Sequence, residues 1–73
     1  MSADDLRERL WRARRRHHHI DAQLREATGG WELSFLHDDQ PLLAWTFVDR
    51  ATALADADRR LRDLLRVGWN VHW

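Results

Sequence analysis

The sequence predicts a two-layer α+β domain, in which two helices cover one face of a three-stranded antiparallel meander in the order αβββα. Three observations lead to this prediction. Apolar residues near the N-terminus recur at helical spacing, residues 19–47 alternate between apolar and polar types with two turn signals, and a second helical pattern follows Asp49. We expect a single domain over residues 1–73 that ends in a Trp-rich C-terminal tail or short strand.

The first helix is predicted over residues 3–15. Its apolar residues recur at intervals of three or four and form one narrow stripe: Ala3, Leu6, Leu10 and Ala13. Trp11 lies at the border of that stripe. Ser2 or Asp4 can cap the N-terminus, and the arginines at 14–16 suit the negative C-terminal end of a helix.

Three strands are predicted from alternation with a period of two, over residues 19–25, 31–35 and 43–47. Thr28-Gly29-Gly30 marks the first turn, and the segment 38–41, which ends in Pro, marks the second. The first of these segments also contains good helix formers, so a helix is the alternative there.

The register of the meander follows from the turns. Pairing Glu26 with Trp31 places Leu24 opposite Leu33, and a five-residue second loop places Phe35 opposite Trp45. One face then carries all of the large apolar side chains: Ile20, Ala22, Leu24, Trp31, Leu33, Phe35, Leu43, Trp45 and Phe47. On the opposite face, Arg25 and Glu32 become cross-strand neighbours.

The second helix is predicted to begin after Asp49, a favourable N-cap, and to end before Gly68, a favourable residue just past a C-terminus. Its apolar stripe consists of Leu54, Ala57, Leu61, Leu64 and Leu65. The segment 69–73 alternates again, which is typical of a short strand or an ordered tail.

The composition narrows the possible function classes. Twelve basic and twelve acidic residues balance, which argues against a general nucleic-acid binder. The chain contains no Cys, which excludes disulfides and thiolate zinc sites, and five Trp residues supply large apolar side chains to a small core. It contains neither an apolar run long enough to cross a membrane nor the pattern of a signal peptide at its N-terminus, so we expect a cytoplasmic protein.

Several motifs together resemble a group of short bacterial proteins of uncharacterised function. They are the segments LWR at 10–12, HIDAQLR at 19–25 and WELSFL at 31–36, followed by Gly68-Trp69 and His72-Trp73 after an Ala-rich helix. The resemblance covers nearly the whole chain. It implies no activity, cofactor or catalytic residue.

The function predicted from the sequence is that of a small protein-interaction module that self-associates as a homodimer or binds another protein. A small core, a zero net charge and apolar residues on the outer face of the sheet favour it. The candidate contact residues are Trp11, Arg7, Arg14, Leu36, Leu42 and Trp73. The alternative is a regulatory nucleic-acid-binding protein that uses the Arg-rich first helix, and no membrane partner is expected.

The sequence predicts no catalytic residue, no cofactor and no metal ligand. It contains no Gly-rich phosphate loop and no Ser elbow. The histidine run allows one alternative: on a strand, His17, His19 and Asp21 share a face and are residue types that bind zinc. Because Trp45 is placed in the core, Trp45→Ala is expected to lower the free energy of unfolding by roughly 3–5 kcal/mol.

Overall fold

The structure is a computed structural model that describes residues 7–71. Within this range it consists of one five-stranded antiparallel sheet and one helix: β1 (Glu8–Arg15), β2 (His18–Ala27), β3 (Gly30–His37), β4 (Gln40–Phe47), α1 (Arg50–Arg66) and β5 (Asn70–Val71). The strand order across the sheet is β4-β3-β2-β1-β5. The α+β class with an antiparallel sheet is confirmed. The arrangement of two helices on a three-stranded meander is wrong.

The predicted first helix is a strand. From Trp11 onward β1 alternates, with Trp11 and Ala13 buried and Arg12 and Arg14 on the other face. The pairing of β1 with β2 shifts register between Arg9 and Trp11, so Leu10 is the extra residue of a β-bulge. This bulge places two apolar residues in succession and breaks the period of two, which is why the segment imitates helical spacing.

The predicted pairing of the next two strands is confirmed. Glu26 pairs with Trp31, and Leu24 pairs with Leu33. Strand β2 starts one residue earlier and ends two residues later than predicted. The register is set by a two-residue turn at Thr28 and Gly29, in which Gly29 has φ 85°.

The predicted register between the next two strands is wrong by two residues. Phe35 pairs with Leu43 instead of Trp45, because the turn contains only Asp38 and Asp39. Both turn residues have positive φ, 50° and 69°, as a tight hairpin turn requires. Since the error is an even number of residues, the apolar side chains keep the predicted face.

The core lies between that face and α1. Its buried members are Trp11, Ala13, Ala22, Leu24, Leu33, Phe35, Ala53 and Ala57. The two alanines on α1 let the helix approach the sheet closely, and the indole Nε1 of Trp11 donates a 3.0 Å hydrogen bond to the carbonyl oxygen of Ala57. This bond satisfies the polar end of a buried Trp.

The predicted ends of the second helix are confirmed. Asp49 is the N-cap and its carboxylate accepts a 2.8 Å hydrogen bond from the Thr52 amide. At the other end the amide of Trp69 donates to the carbonyl of Leu64, and Gly68 adopts φ 106°, which together reverse the chain. The tail then forms β5, where Val71 pairs with Ala13 of β1. Among residues 7–71, no helix combines the length and the apolar character needed to cross a bilayer.

Candidate interaction surface

Strand β4 is the long edge of the sheet. It pairs with β3 on one side, and within residues 7–71 no strand pairs with its outer side. The opposite edge is β5, which contains only two residues. All eight residues of β4 are uncharged, although charged residues make up 33% of the chain. Edge strands are commonly protected from pairing by charged side chains, and β4 has none.

Large apolar side chains of β4 are exposed. Leu42 is 56% exposed, Leu43 is 37% exposed and Trp45 is 44% exposed. We call these three residues and the outer edge of the strand the β4 surface. Because all three side chains belong to one edge strand, association along that edge would remove them from water together.

A charged side chain of α1 covers part of the β4 surface. The guanidinium carbon of Arg60 lies 4.1 Å from the centre of the Trp45 ring, and Arg60 Nε donates a 2.8 Å hydrogen bond to Asp56. Partial burial opposes ionisation of the Asp56 carboxyl, but hydrogen bonds from Arg59 and Arg60 outweigh it and lower the pKa of Asp56. The ionised Asp56 thus holds Arg60 over Trp45.

A bulge adds a hollow beside the edge. Phe35 pairs with Leu43 and Leu36 pairs with Pro41, so Leu42 is the extra residue between them. A hollow of about 300 Å³ lies next to it and is lined by Arg7, Ser34, Phe35, Leu36, Pro41, Leu42, Leu43 and Ala44. Three of the contact residues predicted from the sequence, Arg7, Leu36 and Leu42, therefore meet at one place.

The other three predicted contact residues do not join this surface. Trp11 is only 5% exposed and belongs to the core, because β1 is a strand that turns it toward α1. Arg14 lies on the exposed face of β1, where its Nε donates to the carbonyl oxygen of Arg16. Trp73 lies outside the described residues.

Two ion pairs lie on the sheet face away from α1. Arg12 and Asp21 form a bidentate ion pair, in which Arg12 Nε donates to Asp21 Oδ1 at 2.7 Å and Arg12 Nη2 donates to Asp21 Oδ2 at 3.0 Å. This hydrogen bonding raises the pKa of Arg12. Arg25 and Glu32 pair at 2.7 Å, as the predicted cross-strand neighbours should. These pairs engage two of the arginines on this face and make it polar up to the hollow beside β4.

The metal alternative considered from the sequence is not supported by these positions. His17 lies in the turn between β1 and β2, and the Asp21 carboxylate is bound by Arg12. The predicted set of His17, His19 and Asp21 is therefore not brought together as three ligands.

Sequence reasoning missed Leu43 and Trp45 as surface residues and placed them in the core. They do lie on the predicted face of the sheet, but β4 is an edge strand with no neighbour on its outer side among residues 7–71, and the two side chains remain partly exposed. The signal that could have found them is the uncharged run of residues 40–47, which is unusual in a chain with so many ionised side chains.

Comparison with known proteins finds no match, whether to a protein-family model, to a curated protein or to a solved structure. The resemblance to short bacterial proteins therefore stays a prediction, and the function must be argued from the geometry of this chain alone.

Proposed function

We propose that the chain is a small, non-catalytic cytoplasmic interaction module that self-associates, with β4 of one copy adding to β4 of a second copy. The observation that carries the proposal is the uncharged edge of β4 with its exposed Leu42, Leu43 and Trp45. The lack of Cys suits a reducing compartment. The resemblance to short bacterial proteins is compatible with this proposal, because that resemblance implies no activity.

Antiparallel addition of β4 to itself fits the two-fold symmetry that most homodimers have. An axis normal to the sheet brings like faces together, so side chains that face α1 in one copy meet side chains that face α1 in the other. An axis at Trp45 would pair Trp45 with its own copy, Leu43 with Phe47 and Ala44 with Thr46. Because none of these residues is charged, no like charges meet across the axis.

A second copy suits the β4 surface better than a strongly charged partner does. The chain has a formal net charge of zero, so long-range repulsion between copies is small. Pro41 and the bulge at Leu42 disrupt the first part of the edge, which leaves the regular residues 43–47 to pair. Residues 43–47 contain neither the Pro nor the bulge, and they also carry most of the apolar side chains of β4.

Light scattering and sedimentation at micromolar concentration test the proposal. We expect a dimer for the natural chain and a monomer for Thr46→Lys, because Thr46 is exposed within the segment 43–47 that would pair, and Lys on an edge opposes strand addition. Val67→Lys is the matched control, since Val67 is also exposed but lies outside β4, and it should remain a dimer. A natural chain that stays monomeric at these concentrations would exclude self-association.

Cysteine cross-linking tests the pairing itself. The chain has no Cys, so an introduced thiol is unique. With an axis at Trp45, a mixture of Ala44→Cys and Thr46→Cys chains should oxidise to a mixed disulfide faster than either variant alone. Equal rates for all three samples would contradict this register.

Binding to nucleic acid is the weaker alternative. The predicted Arg-rich helix is the strand β1, and its Arg12 is bound by Asp21. Arg7 also donates to Gln23 at 3.2 Å. A salt-titrated binding assay with DNA and RNA decides this alternative, because phosphate contacts weaken steeply as salt rises.

A further inference from the structure

Three potential metal ligands converge where β2 begins and β3 ends. His18 Nδ1 lies 3.2 Å from His37 Nε2 and 3.3 Å from Asp38 Oδ2, and His37 Nε2 lies 3.5 Å from the same carboxylate oxygen. The three atoms therefore form a nearly equilateral triangle. Their side chains are between 42% and 56% exposed, so an ion can reach them from solution.

The fold brings these residues together from distant parts of the sequence. Ile20 pairs with His37, so His37 lies on the face of the sheet that carries the core residues. His18 precedes Ile20 by two residues on β2 and therefore lies on the same face. The two imidazole rings are stacked with their centres 5.2 Å apart.

The carboxylate is positioned by the turn. Asp38 Oδ1 accepts a 2.8 Å hydrogen bond from the His19 amide, and the Asp38 amide donates to the His19 carbonyl at 3.0 Å. With one oxygen bound to the backbone, the other oxygen faces the two imidazoles. Outer hydrogen bonds of this kind orient metal-binding side chains in known sites.

The spacing of the three atoms fits tetrahedral coordination at the bond lengths of zinc. Tetrahedral zinc at about 2.0–2.1 Å from each ligand separates neighbouring ligand atoms by about 3.3 Å. Adjacent octahedral positions at the same bond length would be only about 2.9 Å apart. The observed separations of 3.2, 3.3 and 3.5 Å match the tetrahedral arrangement. Two imidazoles directed at one such ion would also have ring centres about 5 Å apart.

We propose that His18, His37 and Asp38 form a zinc site with three protein ligands and one open tetrahedral position. Two imidazole nitrogens and a carboxylate oxygen are a ligand set that zinc accepts, and a fourth position filled by water is the usual arrangement when only three residues bind. This site differs from the sequence-based expectation of no metal ligand. It also uses a different face of the histidine run, because His18 rather than His17 or His19 supplies the ligand.

Calorimetric titration of the full chain with ZnCl₂ tests the proposal. We expect one Zn²⁺ per chain, and we expect His18→Ala, His37→Ala and Asp38→Asn each to weaken the affinity at least tenfold. His17→Ala is the matched control, since His17 lies next to His18 in the turn but outside the triangle, and it should bind like the natural chain. Circular dichroism of each variant checks that the fold is retained.

Co²⁺ substitution supplies a readout of geometry. A tetrahedral site gives intense visible absorption bands, and these bands should disappear in His37→Ala and persist in His17→Ala. Binding that His17→Ala abolishes and His37→Ala preserves would show that the histidine run alone binds the ion, and so would overturn the site. Weak bands typical of octahedral Co²⁺ would overturn its geometry, and no zinc binding at all would overturn both.

The zinc site and self-association are separable. The titration is repeated with Thr46→Lys, the variant expected to be a monomer, and the stoichiometry and affinity should not change. Loss of zinc binding in this variant would contradict a site built within one chain, whatever the oligomeric state of the natural protein.

Discussion

The guanidinium group of Arg60 lies over the ring of Trp45, 4.1 Å from its centre, and so links α1 to the edge of the sheet. A charged side chain takes the place that a core residue would otherwise occupy. Trp45 therefore remains 44% exposed while the corresponding residue on the next strand, Leu33, is completely buried. This contact joins β4 to α1, while the Trp45 side chain remains partly exposed to solvent.

Trp45→Ala is accordingly expected to lower the free energy of unfolding by about 1–2 kcal/mol, not by the 3–5 kcal/mol typical of a fully buried Trp. Phe35→Ala, at a position only 4% exposed, is the comparison and should cost about 3–5 kcal/mol. Urea unfolding in the Thr46→Lys background separates this effect from any change in association. A loss at Trp45 as large as that at Phe35 would show that α1 covers β4 more fully than the structure has it.

The Arg12–Asp21 pair predicts an asymmetric response to substitution. The Asp21 side chain is 5% exposed and the Arg12 side chain is 27% exposed. Arg12→Leu leaves a carboxylate that is shielded from water and should cost about 3 kcal/mol, whereas Asp21→Leu leaves a guanidinium that reaches solvent and should cost about 1–2 kcal/mol. The double variant should lose less free energy of unfolding than the two single variants lose together. Urea unfolding of the natural chain, the two single variants and the double variant measures this difference. Equal losses of free energy of unfolding in the two single variants would mean that the Asp21 carboxylate is hydrated in the fold.

Local signals predicted part of this fold correctly. The pairing of β2 with β3 followed from uninterrupted alternation around Gly29, and the bounds of α1 followed from Asp49 and Gly68. In each case residues close in sequence decide the structure. Sequence reasoning alone was sufficient there.

The errors arose where a bulge or an unusual turn broke the pattern. Leu10 disrupts the alternation of β1, and without β1 neither the pairing partner of the C-terminal strand nor the burial of Trp11 could be inferred. The turn at Asp38 and Asp39 places two non-Gly residues at positive φ, which the composition of that segment did not reveal. The approach of His18 to His37 follows from the pairing of β2 with β3, whereas the position of the Asp38 carboxylate depends on this turn, so the third ligand was hidden.

Acid is expected to destabilise the protein through three carboxylates. A hydrogen bond from the His19 amide lowers the pKa of Asp38, and one from the Thr52 amide lowers the pKa of Asp49. At Asp56 the effect of burial is opposed and exceeded by Arg59 and Arg60. All three groups therefore ionise more readily in the folded than in the unfolded state.

The sign of the pH dependence follows from these directions. A carboxyl whose pKa is lower in the fold contributes stability that is fully present above its unfolded pKa of about 3.9, and this stability is lost as the pH falls through the folded pKa. The melting temperature should thus fall steadily below about pH 4. Asp49→Asn keeps a capping side chain but cannot titrate, so it should retain stability at neutral pH and reduce the acid slope. An unchanged slope would contradict the role given to Asp49.

Gly30 controls the close approach of β3 and β4 at the end of the sheet. It has φ 154°, and a Cβ atom added there would fall on the carbonyl oxygen of Phe47, a backbone atom that the strand pairing holds in place. Gly29, with φ 85°, would meet no atom with its added Cβ. Gly29→Ala therefore costs only the left-handed strain of about 1–2 kcal/mol. Gly30→Ala should cost more, because the end of β4 must also move away from β3. Urea unfolding of the two variants compares them directly. If Gly30→Ala proves as mild as Gly29→Ala, the pairing of Trp31 with Phe47 is loose, and the edge that β4 offers to a second copy ends before Phe47.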